Sequence, residues 1–367
     1  MRLNNLKFVI LMLASVVLIS GCFFKKNTVD NSSDVSEAIS SSSQVAEQPK
    51  TVENPLTGLP MPLELKGKKP LSIMINDHQK AMPQAGVIDA DIIYEAPAEG
   101  GINRLMGIFS DYENLSTVGP VRSTRDYYID FAQNHYAIFI HMGGSPQAYS
   151  ELKIRDINSI DFITNSAGYW RDEQRKKNKG LEHSAMTNGK LLKKVVDAKN
   201  FSTDLPADYK SVFAFRNDEE SQGDIAAGSI LIPYSDYYTA SFMYNTETKQ
   251  YLRFHQFTAK EGRIPQVDAN NNEQLSFKNI FIVYVECGEI AGDDKERLEM
   301  KTTGTGTGFY ISDGKAIDIG WKKLSHKSPI SFTTANGFPL MINKGKSWIC
   351  MVPVNVKQGV EIKALNS

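Results

Sequence analysis

The 367-residue chain has little cysteine, little histidine and almost no net charge. Its three cysteines, Cys22, Cys287 and Cys350, cannot build a disulfide framework. The last two leave room for one bridge or for two buried free thiols. The six histidines stand apart, with no His-x-x-x-His and no His/Cys pair, so a zinc site lacks a ligand set. A formal charge of −1 gives no overall field to draw the chain onto nucleic acid or an acidic membrane, and no nucleic-acid partner is expected. No serine sits in a nucleophile-elbow context, and Cys287 lies in an apolar run, so covalent catalysis has no support. Beyond residue 20, no apolar run reaches the length of a membrane span.

The first 22 residues carry the clearest signal. Arg2 and Lys7 form a basic n-region, Phe8 to Ile19 is apolar, and Ser20, Gly21 and Cys22 follow. This is the layout of a secretory signal peptide over 1–21. Ile19-Ser20-Gly21-Cys22 resembles the lipobox of bacterial lipoproteins, in which the cysteine is lipidated and becomes the new N-terminus. An ordinary cleaved signal would instead leave an exposed thiol beside Phe23 and Phe24. The expectation is a cell-membrane protein, lipid-anchored through Cys22 on the extracytoplasmic face, where more than one acyl chain gives stable attachment. Loss of Arg2 and Lys7 with the signal moves the formal charge from −1 to −3. Residues 22–53 read as the lipidated cysteine and a Ser- and Glu-rich tether. About 30 such residues reach on the order of 30 Å as a coil.

Residues 54–205 read as an α/β N-terminal domain and 206–367 as a smaller β-rich C-terminal domain, an α+β chain overall. Leu71–Asn76, Ile88–Glu95 and Arg104–Asp111 are strand-like. The expected helices start at Ser123, which is read as a cap, at Ser145-Pro146 and at Thr187. After residue 205, short runs rich in Tyr, Phe, Ile and Val alternate with turn signals such as Asp313-Gly314. The Thr-Gly alternation at 303–308 lacks the lysine of a P-loop and reads as a flexible turn.

Unusual residues concentrate between Glu95 and Asp126. Arg122 precedes a helix start, Arg125 lies in its first turn, and Arg104 begins a strand. Backbone N–H groups at a helix start favour an anion, and guanidinium forks add charge and geometry, so the three read as a phosphate or pyrophosphate clamp. The plainer reading pairs them with Glu95, Glu99, Asp111 and Asp126 as structural braces. A second group, Arg171, Arg175 and His183, reads as another wall of the site, with the two arginines on one helix face. His141, before Gly143-Gly144, reads as a core histidine.

The Asn54–Pro60 opening, Tyr94 to Arg104, Gly119-Pro120-Val121-Arg122-Ser123-Thr124-Arg125, Trp170-Arg171-Asp172, His183-Ser184 and Lys344 to Ile349 together resemble the YerB-like lipoproteins. That family, from Gram-positive bacteria, pairs N- and C-terminal domains of unknown function. The resemblance implies a membrane-anchored envelope protein and supplies no activity. Arg104, followed by Arg122-x-x-Arg125-Asp126, is also distantly similar to the LytR–CpsA–Psr phosphotransferases. That similarity implies arginines on a polyprenyl pyrophosphate and acidic residues on magnesium. No aspartate closely follows Arg104 here, so Glu95 and Asp111 would have to serve as the metal ligands. Three functions follow: a binder of an anionic lipid-linked or wall-glycan phosphate, a magnesium-dependent glycan phosphotransferase, or a scaffold for wall-synthesis proteins.

Overall fold

The computed structural model describes residues 50–365, apart from 156, 218–221 and 259. The signal segment, Cys22 and the tether up to residue 49 lie outside the described residues. The end of the expected tether is structured: Thr51–Glu53 pairs with Pro60–Pro62.

Two sheets carry the fold. The larger begins with β1 (Leu71–Asn76), β2 (Ile92–Pro97), β3 (Asn103–Phe109), β4 (Ile138–His141) and β5 (Ser159–Asp161). Its helices are α1 (Asp126–Gln133), α2 (Pro146–Arg155), α3 (Glu173–Lys179) and α4 (Gly189–Asp197). The second sheet is built on β6 (Ser229–Ser235), β7 (Tyr238–Asn245) and β8 (Gln250–Gln256). The chain then returns to the first sheet with β9 (Asn279–Val285), β10 (Gly304–Ser312), β11 (Lys315–Lys323) and β12 (Ser347–Pro353).

The α/β and β-rich halves expected from the sequence are both present, and one sheet runs through them. Among the strands named, its order is β11-β10-β9-β12-β2-β3-β1-β4-β5, and the short strands Ile225–Ala226 and Ser331–Thr334 both pair with β11. The join is β12 beside β2, parallel, with Ser347 opposite Ile92 and Cys350 opposite Glu95. Strands β1, β2, β9 and β12 are buried at every position, as near-continuous apolar strands are when both faces are covered. Ile73, Ile93, Leu105 and Trp348 enter the core on one face, while Met74, Tyr94, Met106 and Ile349 enter the core on the other. Strands β6 and β8 instead alternate buried and part-exposed residues, so the second sheet presents one apolar face. Phe242 and Phe277 meet Trp348 edge-on, with ring centroids 5.8 and 5.0 Å away.

Local readings fared unevenly. Helix α4 forms as expected, with Asn188 capping it by accepting from the Leu191 N–H at 2.9 Å. Helix α1 begins later than expected: Arg125, not Ser123, holds the cap position and gives no side-chain cap. The Ser123 carbonyl is engaged elsewhere, accepting from Arg104. The Thr-Gly run is not a turn but the start of β10, paired to β11 from Gly304↔Lys323 onwards. At Gly306 a Cβ would lie 2.4 Å from Trp321 Nε1, so glycine here serves close packing. Cys287 and Cys350 are free thiols, the first half-buried and the second buried.

Candidate functional site

Strands β1 and β2 both run antiparallel to β3, and β4, β5, β12 and β9 continue in the direction of β1 and β2. One end of the large sheet therefore gathers the C-terminal ends of six strands and the start of β3. Ligands of open α/β sheets sit at such an end. Asn76, Asp77 and His78 leave β1 here, and Asn103 and Arg104 begin β3. The 119–125 segment is tied across this end by backbone bonds. The Asn76 N–H donates to Pro120 O at 2.9 Å, Arg122 N–H to Met74 O at 3.0 Å and Met142 N–H to Arg122 O at 3.1 Å. At Gly119, with φ of 142°, a Cβ would fall 2.8 Å from Ala185 O, so only glycine lets the segment pass this closely.

Arg104 and Arg125 are brought together, on Glu99. Arg104 Nη2 donates to Glu99 Oε1 at 3.0 Å and Nη1 to Ser123 O at 2.7 Å. Arg125 Nε donates to Glu99 Oε2 at 3.0 Å, and its Nη2 to Oε1. Burial opposes ionisation of Glu99, but the Arg104 and Arg125 charges overcome it and hold the carboxyl down at about 2. Burial and the Arg125 charge lower Arg104 to about 10, so it stays protonated at neutral pH. Bracing accounts for these two arginines.

Arg122 differs. It is half-buried, and among the described residues its guanidinium makes no hydrogen bond and no ion pair within 4 Å. Burial lowers its pKa; the Arg125 and Arg171 charges push the same way, against Glu182 and Glu99. Arg171 is steadied by Leu181 O at 2.7 Å and lies over the Tyr169 ring at 5.4 Å. His183 is buried, with Nδ1 2.9 Å from the Asn76 amide nitrogen and its ring 5.0 Å from that of His78. Burial, then the His78 charge, lower His183 to about 4, so the ring is neutral at pH 7. Because the Asn76 amide donates to Nδ1, the proton resides on Nε2, which faces Glu182 Oε1 at 3.7 Å.

The other expected site residues lie elsewhere. Arg171 and Arg175 do not share a helix face: Arg171 ends the short strand Trp170–Arg171, and Asp172 caps α3 by accepting from the Arg175 N–H. Arg175 reaches back to Ala81 O at 2.9 Å and to Pro83 O, fixing the turn after His78. Glu95 and Asp111 are not assembled as a magnesium pair. Asp111 follows the far end of β3, at the opposite end of the sheet from Arg104, and accepts from Asn114. Glu95 is fully buried and already neutralised by Arg253, whose Nη2 is 3.0 Å from Oε1. Asn103 and Trp348 donate to it at 2.9 and 2.8 Å. Among the described residues, no group of three or more His, Cys, Asp or Glu side chains is placed to hold a metal. His141 is a core residue, 1% exposed, with Nδ1 3.0 Å from Gly143 O.

Sequence reasoning missed the network beneath this end. Arg253 Nη2 also donates to Tyr238 OH at 2.8 Å, and Tyr238 donates to Asp77 Oδ2 at 2.6 Å. Gln84 donates to Asp77 Oδ1 at 2.7 Å. Burial, then the Glu95 charge, raise the Asp77 carboxyl to about 7. Arg253 also stacks between Phe242 and Trp348, its Cζ 4.9 Å from each ring centroid. The available signal was an arginine at an inward position of an alternating strand, Gln250–Gln256.

Residues 56–202 match the N-terminal domain, and 230–349 the C-terminal domain, of the protein family of unknown function DUF3048. The chain belongs to this family. It is similar to "Putative lipoprotein YerB" of Bacillus subtilis (strain 168), 27% identical over 314 residues, 84% of this chain and 88% of the relative. Its fold is similar to the crystal structure of the YerB protein from Bacillus subtilis, with a TM-score of 0.72 and 26% identity, covering 85% of this chain and 99% of that one. Both DUF3048 domains are described as of unknown function. Among the described residues, no helix is long and apolar enough to cross a membrane.

Proposed function

We propose that this chain is a lipoprotein anchored through Cys22 at the extracytoplasmic face of the cell membrane, and that it binds an anionic envelope ligand, a phosphate or pyrophosphate, at Arg122. The lipobox-like Cys22 and the lipoprotein name of the Bacillus relative support the first part. One observation carries the second: among the described residues, Arg122 is the arginine of the cluster whose guanidinium has no hydrogen-bond partner, although it is partly desolvated and shares its surroundings with Arg125 and Arg171. A bound anion supplies the acceptor oxygens and relieves the mutual repulsion of these cations. Arg104, Arg125 and Glu99 hold the loop that presents Arg122, and Arg171 stands at its side. The ligand class extends to lipid-linked and wall-glycan phosphates, which the anchor would keep within reach. The carboxylates a magnesium-dependent phosphotransferase would need lie apart, Asp111 at the opposite end of the sheet and Glu95 buried against Arg253.

Calorimetric titration of the full chain in neutral detergent with pyrophosphate tests the binding. Arg122→Gln is expected to weaken it about tenfold or more, the scale of one lost charge-assisted contact, with melting temperature nearly unchanged. The exposed control Lys177→Gln is expected to bind as wild type. Equal affinity of Arg122→Gln and wild type would remove the proposal. Separately, Cys22→Ala is expected to abolish lipid modification and most membrane association; a variant that still fractionates with membranes as a lipid-modified protein would refute the anchor.

A further inference from the structure

The C-terminal ends of β2 and β12 border a cavity of about 440 Å³, within the size range of ligand pockets. Three further pieces of chain wall it in. They are the loop 98–103, the start of the turn that follows β12, and the hairpin that pairs Cys287–Glu289 with Leu298–Met300. The end of β6 adds Tyr234 and Ser235, and Ser235 Oγ donates to Gly101 O at 2.5 Å, which ties the second sheet to the loop. Pro97, Ala98, Tyr234, Leu298, Pro353 and Val356 supply apolar walls.

Two features of the lining bear on what the cavity accepts. The first is Asn103, which lines it and is fully buried. Its Nδ2 donates to Glu95 Oε1 at 2.9 Å, and because an ionised carboxylate only accepts, this bond fixes which way the amide points. Oδ1 is left without a hydrogen-bond partner among the described residues, an unmet acceptor where buried polar groups are normally paired. The second feature is charge. Among the described residues lining the cavity there is no lysine, arginine or histidine, and three are glutamates. Glu99 is taken up by Arg104 and Arg125. Glu289 and Glu296 are exposed, at the mouth, and make no ion pair within 4 Å among the described residues; the neighbouring Lys295 and Arg297 pair with Asp294 and Asp293 instead. A buried acceptor, apolar walls and two unpaired carboxylates at the mouth are complementary to a donor, an apolar body and a cationic end, in that order.

We propose that this cavity binds a small amphipathic amine, with a hydroxyl or N–H donor on Asn103 Oδ1, an apolar stem between the walls and an ammonium at Glu289 and Glu296. The site shares Glu99 with the arginine cluster but takes a ligand of opposite charge, and it does not rest on binding at Arg122. Tyramine is the probe. The full chain in neutral detergent is titrated calorimetrically with tyramine and with three analogues. These are 2-phenylethylamine, which lacks the hydroxyl, 4-ethylphenol, which lacks the ammonium, and 3-(4-hydroxyphenyl)propionate, which carries a carboxylate in its place. Tyramine is expected to bind about fivefold tighter than either of the first two, and the propionate weakest. Glu289→Gln combined with Glu296→Gln is expected to weaken tyramine about fivefold and to leave 4-ethylphenol unchanged. Val356→Trp, which fills the space, is expected to abolish binding of every probe; should that variant melt well below wild type, the exposed glutamate pair alone carries the test. Arg122→Gln is expected to bind tyramine as wild type does. No tyramine binding at millimolar concentration, equal affinity for tyramine and the propionate, binding indifferent to the glutamate changes, or binding lost in Arg122→Gln would each overturn the proposal.

Discussion

Glu95 and Arg253 are both fully buried, and each is the other's counter-charge. Breaking such a pair from one side strands the remaining charge in a low-dielectric interior. Glu95→Gln is therefore expected to lower stability by about 3–5 kcal/mol, measured by denaturant unfolding at pH 7. Replacing both partners, Glu95→Leu with Arg253→Met, is expected to cost much less. Asp77 adds a pH dependence of a definite sign. Its carboxyl is raised from 3.8 to about 7 in the fold, so the folded chain holds this proton more tightly than the unfolded chain. The resulting stability is complete below about pH 4 and is lost as pH rises through about 7. The buried histidines, such as His183 and His255, both lowered to about 4, act in the opposite direction between about pH 4 and 6.5. Comparing melting temperatures of wild type and Asp77→Asn cancels them. The wild-type advantage is expected to shrink from pH 4 to pH 7, and a pH-independent difference would contradict the assignment.

At the scale of elements, what depended on neighbours in sequence was legible. The all-apolar strand Leu71–Asn76 and the amphipathic helix after Asn188 follow from short-range patterns and a cap. Asn188→Ala is expected to cost about 1 kcal/mol, the usual value of an N-cap, read from chemical denaturation. Readings failed where a distant partner decided the outcome. Ser123 looks like a cap, but its carbonyl serves Arg104 and the helix starts three residues later. The Thr-Gly run looks like a turn because its glycines suggest freedom; Trp321 and the neighbouring strand β9 explain them as packing. Arg171 and Arg175 have helical spacing, yet Asp172 starts the helix between them.

At the scale of the whole molecule, the change from α/β to β-rich character near residue 205 was legible in composition, while the shared sheet was not. Strand β12 reaches its place beside β2 from the far end of the chain, and no local pattern specifies that pairing. The same long connection hides the buried network: Glu95 and Arg253 stand 158 positions apart. The arginine cluster was legible as a cluster, because its members crowd one stretch of sequence. Its division of labour was not, since Glu99 selects Arg104 and Arg125 and leaves Arg122 to face outward demands alone. That division is the central claim, and the guanidinium ¹⁵Nε resonances test it most directly. During a pyrophosphate titration of the full chain, with assignments from single Arg→Lys variants, the Arg122 resonance is predicted to shift saturably while those of Arg104 and Arg125 stay in place. A stationary Arg122 resonance, or equal shifts at all three, would contradict the account.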